Sequence, residues 1–88
     1  MLRDEWKEKL FGAGAKESSG GVFNEGFFQK FEYIGVHWFN KNHFDSEDYI
    51  PIRNKIAREM RKDGWEVRSK SSPVMGKTHV SLEAERKI

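Results

Sequence analysis

Pro51-Ile52-Arg53-Asn54-Lys55-Ile56-Ala57-Arg58-Glu59-Met60-Arg61-Lys62-Asp63, closed by Gly64-Trp65, is the stretch whose reading decides the fold. Ile52, Ile56 and Met60 recur every fourth residue with Ala57 beside them, which makes one stripe of a helix apolar. At 100° per residue, Asn54, Lys55, Arg58, Arg61 and Lys62 gather on the opposite side. Pro51 suits a first helical turn, where its missing N–H has no partner to lose. Gly64 suits a left-handed C-cap, and Trp65 just beyond it can pack back on Met60 or Arg61.

Beyond this helix, Trp65, Val67 and Ser69 alternate with Glu66, Arg68 and Lys70, the period of a strand with a charged outer side. Ser71 to Lys77 makes a long hairpin tip. Thr78, Val80, Leu82 and Ala84 then alternate with His79, Ser81, Glu83 and Glu85 as a returning strand. The tail, residues 83–88, also has good helix propensity, so the strand's end stays open.

Before the helix, Asn40 to Asp48 is a polar connection, and Asp45 and Ser46 can cap a turn ahead of Pro51. Phe27 to Phe39 is rich in aromatic and β-branched residues, a strong strand signal. Alternation puts Ile34, Val36 and Trp38 on one face and Phe31, Tyr33, His37 and Phe39 on the other, and Gly35 marks a bulge or a close approach. One face can take the helix from Pro51. The other needs the N-terminal helix, another subunit, or bases. Val22 to Phe28 reads as a short strand and turn, with Asn24 to Gly26 at the tip.

At the N-terminus Leu2, Trp6 and Leu10 lie four apart with Phe11 adjoining, and the Asp4, Glu5, Lys7 and Lys9 charges follow the helix dipole. Residues 1–11 therefore read as a short amphipathic helix that needs something to dock on. Residues 12–21, Gly12-Ala13-Gly14-Ala15-Lys16-Glu17-Ser18-Ser19-Gly20-Gly21, read as a flexible tether. The helix can then fold back in cis, cross to a second copy, or bind a partner. Residues 22–88 form a single domain. The predicted fold is α+β, a single-layer antiparallel or mixed sheet of three to four strands on one main helix. Its order is α-β(β)-α-β-β. A sheet apolar on two faces with one long helix also predicts a homodimer.

The 88 residues contain no cysteine, so neither disulfides nor a thiolate zinc site can hold the fold. The charged start lacks the apolar run of a signal peptide, and no segment approaches the ~20 apolar residues of a membrane span. A soluble cytoplasmic protein is expected. Net charge is +2, but residues 53 to 77 carry eight basic side chains against three acidic ones, and the rest of the chain is mildly acidic. Such asymmetry makes a positive face that phosphates or an acidic protein would recognise, although a solvated helix face has the same composition.

No residue set carries an evident chemistry. His37, His43 and His79 show no metal-ligand spacing. Asp45, Glu47 and Asp48 lack the spaced ligands of a calcium loop. Ser18, Ser19, Ser71 and Ser72 have no nucleophile motif around them, and the glycine stretch has no P-loop signature. His37 with His79 is the one pair suited to acid–base cleavage of RNA. No catalytic residue, metal or cofactor is assigned.

Gly35-Val36-His37-Trp38-Phe39-Asn40 resembles the Gly-x-Val-x-Trp-Phe-Asn opening of cold-shock domains. The aromatic strand that should follow is absent, and a helix stands where a barrel needs strands. That fold is therefore not carried over, but strand aromatics as a stacking platform remain. Met60 to Ser72 resembles the helix–Gly–Trp–strand entry of HicA-type RNA-cleaving toxins, whose fold is similar to double-stranded-RNA-binding domains. Those toxins place a histidine where this chain has Pro73, so the resemblance implies RNA binding without cleavage.

The sequence thus predicts a non-enzymatic nucleic-acid-binding module, RNA ahead of DNA. Lys55, Arg58, Arg61, Lys62, Arg68, Lys70 and Lys77 would contact phosphates, and Tyr33 and His37 would stack on bases. The alternative is a protein-binding inhibitor or adaptor, of the general kind phages make against host enzymes. In it Leu2, Trp6, Leu10 and Phe11 would form the partner-binding hot spot.

Overall fold

A computed structural model of the chain describes residues 1–38, 46–74 and 76–88, without the side chains of Ser46, Val74 and Lys77. The fold is α+β: helix α1 (Arg3–Gly12), strands β1 (Lys16–Glu25) and β2 (Gln29–Trp38), helix α2 (Ile50–Lys62), and strands β3 (Glu66–Val74) and β4 (Lys77–Lys87). A 3₁₀ turn at Ser46–Tyr49 leads into α2. Phe39, His43 and most of the Asn40–Asp48 connection lie outside the described residues. The strands form one antiparallel sheet in the order β1-β2-β4-β3. Taken cyclically, this α-β-β-α-β-β order is that of the split β-α-β unit, entered at a helix instead of a strand. Many unrelated activities share that architecture, so it carries no function by itself.

The stripe seen in the sequence builds the core. Ile56, Ala57 and Met60 are buried against Ile34, Val36 and Trp38 of β2, Val80, Leu82 and Ala84 of β4, and Val67 of β3. Ile52, read as part of the stripe, is 41 % exposed, and Arg53 is buried in its stead. The Arg53 Nη1 atom donates to the Lys70 carbonyl at 2.7 Å and the Ser71 hydroxyl at 2.9 Å, which fastens the start of α2 to β3.

Both helices end alike. Gly64 takes φ +91°, and the Trp65 N–H reaches back to the Met60 carbonyl at 3.0 Å. Gly14 takes φ +96°, and the Ala15 N–H reaches the Leu10 carbonyl at 3.1 Å. Each is a left-handed glycine cap that reverses the chain into a strand and buries the next residue.

That second cap corrects the reading of residues 12–21 as a flexible tether. The chain leaves Gly14 and runs from Lys16 directly along β2. Lys16-Glu17-Ser18-Ser19-Gly20-Gly21 has little strand propensity, but pairing with β2 supplies the main-chain hydrogen bonds that its composition does not foretell. A bulge between Glu17 and Ser19 lies opposite Gly35, and a side chain at Gly35 would run into the Ser19 hydroxyl. Gly35 therefore answers a close approach across a bulge.

The N-terminal helix folds in cis. α1 lies over β1 and β2, α2 over β3 and β4, both on the same face of the sheet. Trp6 and Leu10 are 2 % and 0 % exposed, and the Trp38 indole N–H donates to the Ala13 carbonyl at 3.1 Å. The second sheet face, for which α1 was one expected cover, is covered by no described element.

Candidate nucleic-acid interface

The outward side of α2 is cationic because its acids are engaged elsewhere. Lys55, Arg58 and Lys62 lie opposite the buried residues Arg53, Ile56, Ala57 and Met60 and are all exposed. Glu59 turns toward α1 and forms an ion pair with Lys9. That hydrogen bond holds the Glu59 carboxyl below the usual carboxylate range despite some desolvation, with Lys55 and Lys62 adding to the effect.

Asp63 turns the same way. Its Oδ2 accepts from the Trp6 indole at 2.7 Å and from Arg86 Nη1 at 3.2 Å, and the Met1 amine lies 3.1 Å away. The Trp6 hydrogen bond, then the amine, holds its carboxyl low. Arg86 continues the cluster to Glu32 at 2.6 Å and lies over the Trp65 ring at 4.5 Å. With Glu59 of α2 and Asp63 at its C-cap engaged on the α1 side, Lys55, Arg58 and Lys62 make no ion pair with another described residue.

Arg61 lies at the flank of this crest, toward β3. Its Nη2 donates to the Val67 carbonyl at 3.0 Å. It therefore ties α2 to β3 and has part of its guanidinium already engaged.

Arg68 and Lys70, expected on the same surface, belong to the other side of the sheet. Ile34, Val36 and Trp38 point under the helices, so Tyr33 and His37 point away. Direct cross-strand pairing puts Ser81 and Lys70 on the side of His37, and Glu83 and Arg68 on the side of Gly35. Arg68 also pairs with Glu85 at 3.5 Å. Lys77 is in β4, but its side chain is outside the described residues. The expected phosphate contacts thus divide between two layers.

The uncovered face is graded along its strands. At one end the cross-strand row reads Lys16, His37, Ser81, Lys70. The His79 ring lies 5.5 Å from that of His37. Burial lowers the His37 pKa from its ordinary value, with His79 and then Lys16 adding to the shift. In the middle, Glu66, Glu83 and Glu85 with Arg68 line a concavity of about 420 Å³ that reaches Phe23 and Tyr33. At the far end the Phe23 ring stacks on Phe31 at 5.2 Å and meets Tyr33 edge-on at 5.7 Å. The three carboxylates of this concavity would repel a phosphate.

Of the expected partner-binding residues, Leu2 and Phe11 are 69 % and 43 % exposed, whereas Trp6 and Leu10 are core. Sequence reasoning missed Lys16, which lay inside the supposed tether and becomes part of a row only through strand pairing. It also missed Arg53 as a structural residue. The one signal for it was its place at the edge of the apolar stripe. Among the described residues, no group of three His, Asp or Glu side chains converges to hold a metal ion, and no helix is long and apolar enough to cross a membrane.

Fold and surface together define a class: a two-layer α/β sandwich with one cationic helix crest and one open sheet face. No protein family, curated protein or solved structure matches the chain.

Proposed function

We propose that the chain is a non-enzymatic nucleic-acid-binding module, with RNA favoured, that grips phosphates with the crest of α2. The observation supporting this is the turning of Glu59 and Asp63 toward α1, which leaves Lys55, Arg58 and Lys62 as a compact cationic surface. Three exposed cations on one crest suit backbone recognition, since phosphate contacts fix position without reading sequence. RNA is favoured because the half-buried Tyr33 and His37 on the uncovered face suit unpaired bases.

The competing reading, a protein-binding inhibitor using α1, loses support from the burial of Trp6 and Leu10 in the chain's own core. Self-association and a cytoplasmic setting belong to the proposal. Pairing of two copies is supported by Phe27 and Phe28, 99 % and 97 % exposed at the tip of the β1–β2 hairpin.

The test is binding of labelled structured RNA and of duplex DNA across a salt series. Affinity should fall steeply with salt, and Lys55→Glu with Arg58→Glu should reduce the log–log slope by about 1 per residue while the fold stays intact. An unchanged slope and affinity in that double variant would sink the crest as the binding surface.

A further inference from the structure

The helix that carries one cationic group is fastened, at the β3 edge, to the strand that ends the other. Arg53 reaches the Lys70 carbonyl with one nitrogen of its guanidinium, while its Nε and Nη2 hold the Asn54 side-chain oxygen at 3.2 and 3.0 Å. The one guanidinium thus links Asn54 to the main chain of Lys70, and Arg58 follows one helical turn after Asn54. From Lys70 the row continues across the open face through Ser81 and His37 to Lys16. Three strand spacings separate its ends, about 14 Å. Every member of that row is cationic, titratable to a cation, or a hydroxyl donor.

Resting on the reading of the α2 crest as a phosphate grip, we infer that the binding surface turns round the β3 edge and continues along the Lys70–Ser81–His37–Lys16 row, a track that a single strand of nucleic acid can follow and a duplex cannot. The molecule's shortest extent is 16 Å between Cα atoms, so the path reverses direction over a thin edge. Duplex DNA, with a persistence length of about 50 nm, does not bend so tightly. A single strand does, and unpaired bases can also stack on His37. Glu66, Glu83 and Glu85 bound the track on one side. They direct a polyanion across the strands and away from the concavity.

The row also carries a pH dependence. His37 faces Lys16 from β1, His79 and Glu83 from β4, and Lys70 farther along the row from β3. A phosphate beside it favours the imidazolium, so acidification should tighten single-strand binding.

The experiment compares fluorescence anisotropy of an unstructured RNA of about 12 nucleotides with that of a duplex of equal length, a probe within the usual site size for single-strand binders. The unsubstituted protein should bind the single strand about tenfold more tightly or better. Lys16→Glu with Lys70→Glu, both exposed, should lower single-strand affinity by about tenfold and leave duplex affinity within about twofold, because only the single strand reaches that row. His37→Gln should remove the tightening seen between pH 7.5 and about 5.5, across the ordinary imidazole range. Equal affinities for the two probes, or a Lys16/Lys70 variant that binds the single strand as well as the parent, would overturn the track and leave the crest standing. Failure of the underlying proposal reads differently. In that case neither probe binds, or reversal of Lys55 and Arg58 changes nothing, and the track falls with it.

Discussion

The two helices dock on the same face of the sheet by different means. α2 carries its own instructions: Ile56, Ala57 and Met60 form a buried stripe within thirteen residues, and Arg53 fastens one end to β3. α1 brings only Trp6 and Leu10 to the core. The rest of its attachment comes from groups far along the chain, with Lys9 paired to Glu59 and the Trp6 indole to Asp63, itself held by Arg86. One helix is placed by periodicity, the other by polar contacts across more than forty residues of sequence. The difference implies that α1 is the separable layer, and that α2 with the sheet is the cooperative body.

The strongest way to break that contrast is in the core. Leu10 is fully buried, so Leu10→Ala should cost about 2–5 kcal/mol in line with other buried leucines. Met60→Ala removes an equally buried side chain from α2 and should cost a similar amount. Their signatures should differ under native-state hydrogen exchange. Leu10→Ala should expose α1 amides while α2 amides still exchange only through global unfolding, whereas Met60→Ala should lower protection throughout. Loss of protection in both helices from Leu10→Ala would mean the layers are one unit.

That contrast also explains what could be read in advance. Most of the α2 stripe (Ile56, Ala57 and Met60, though not Ile52), its Gly64 cap, and the grouping of Ile34, Val36 and Trp38 on one face follow from local period and turn chemistry, whereas which face of β2 turns inward did not. The fate of residues 12–21 did not follow, because Ser18, Ser19, Gly20 and Gly21 gain strand structure from β2 and not from their own propensities. Gly14 as a cap was legible in principle, since Leu10-Phe11-Gly12-Ala13-Gly14-Ala15 repeats the spacing of Met60 to Trp65, but the density of glycines pointed to flexibility. The candidate site was legible as a list of cations and not as a surface. Helical spacing gathered Lys55, Arg58 and Lys62 correctly. Whether Arg68 and Lys70 joined them depended on which face of β3 met the helices.

A smaller effect sharpens the same contrast through pH. Asp63 and Glu59 both have carboxyl pKa values below the ordinary range in the folded state, the first chiefly through Trp6 and the second through Lys9. A carboxyl depressed by folding contributes stability above its unfolded pKa of about 4 and loses it as pH falls through the folded value. Both contacts lie between α1 and α2, so acid should loosen α1 first as pH drops below about 4. His37, whose lowered pKa disfavours the charged form, also costs stability as pH falls below about 6.5, but it lies on the open face and bears on the sheet and not on α1. Tryptophan fluorescence should report Trp6 solvation in an early acid step, and Asp63→Asn should weaken that step. A single acid transition shared by α1 and β4 amides, unaltered by Asp63→Asn, would contradict the separable layer.

The smallest expected effect on stability is the most informative about function. Lys55 and Arg58 are exposed and make no ion pair with another described residue, although Lys55 borders the hollow between α1 and α2 and lies near Glu59. Surface substitutions of this kind usually change stability by no more than about 0.5 kcal/mol. Reversing both charges should therefore leave the thermal midpoint nearly unchanged while it alters the salt dependence of binding. A loss of stability comparable with that of Leu10→Ala would show that the crest is structural, with cations that offset charges elsewhere in the fold. A near-silent stability profile would instead mean that α2 holds these cations at no evident structural gain, the pattern expected of a surface that serves a ligand.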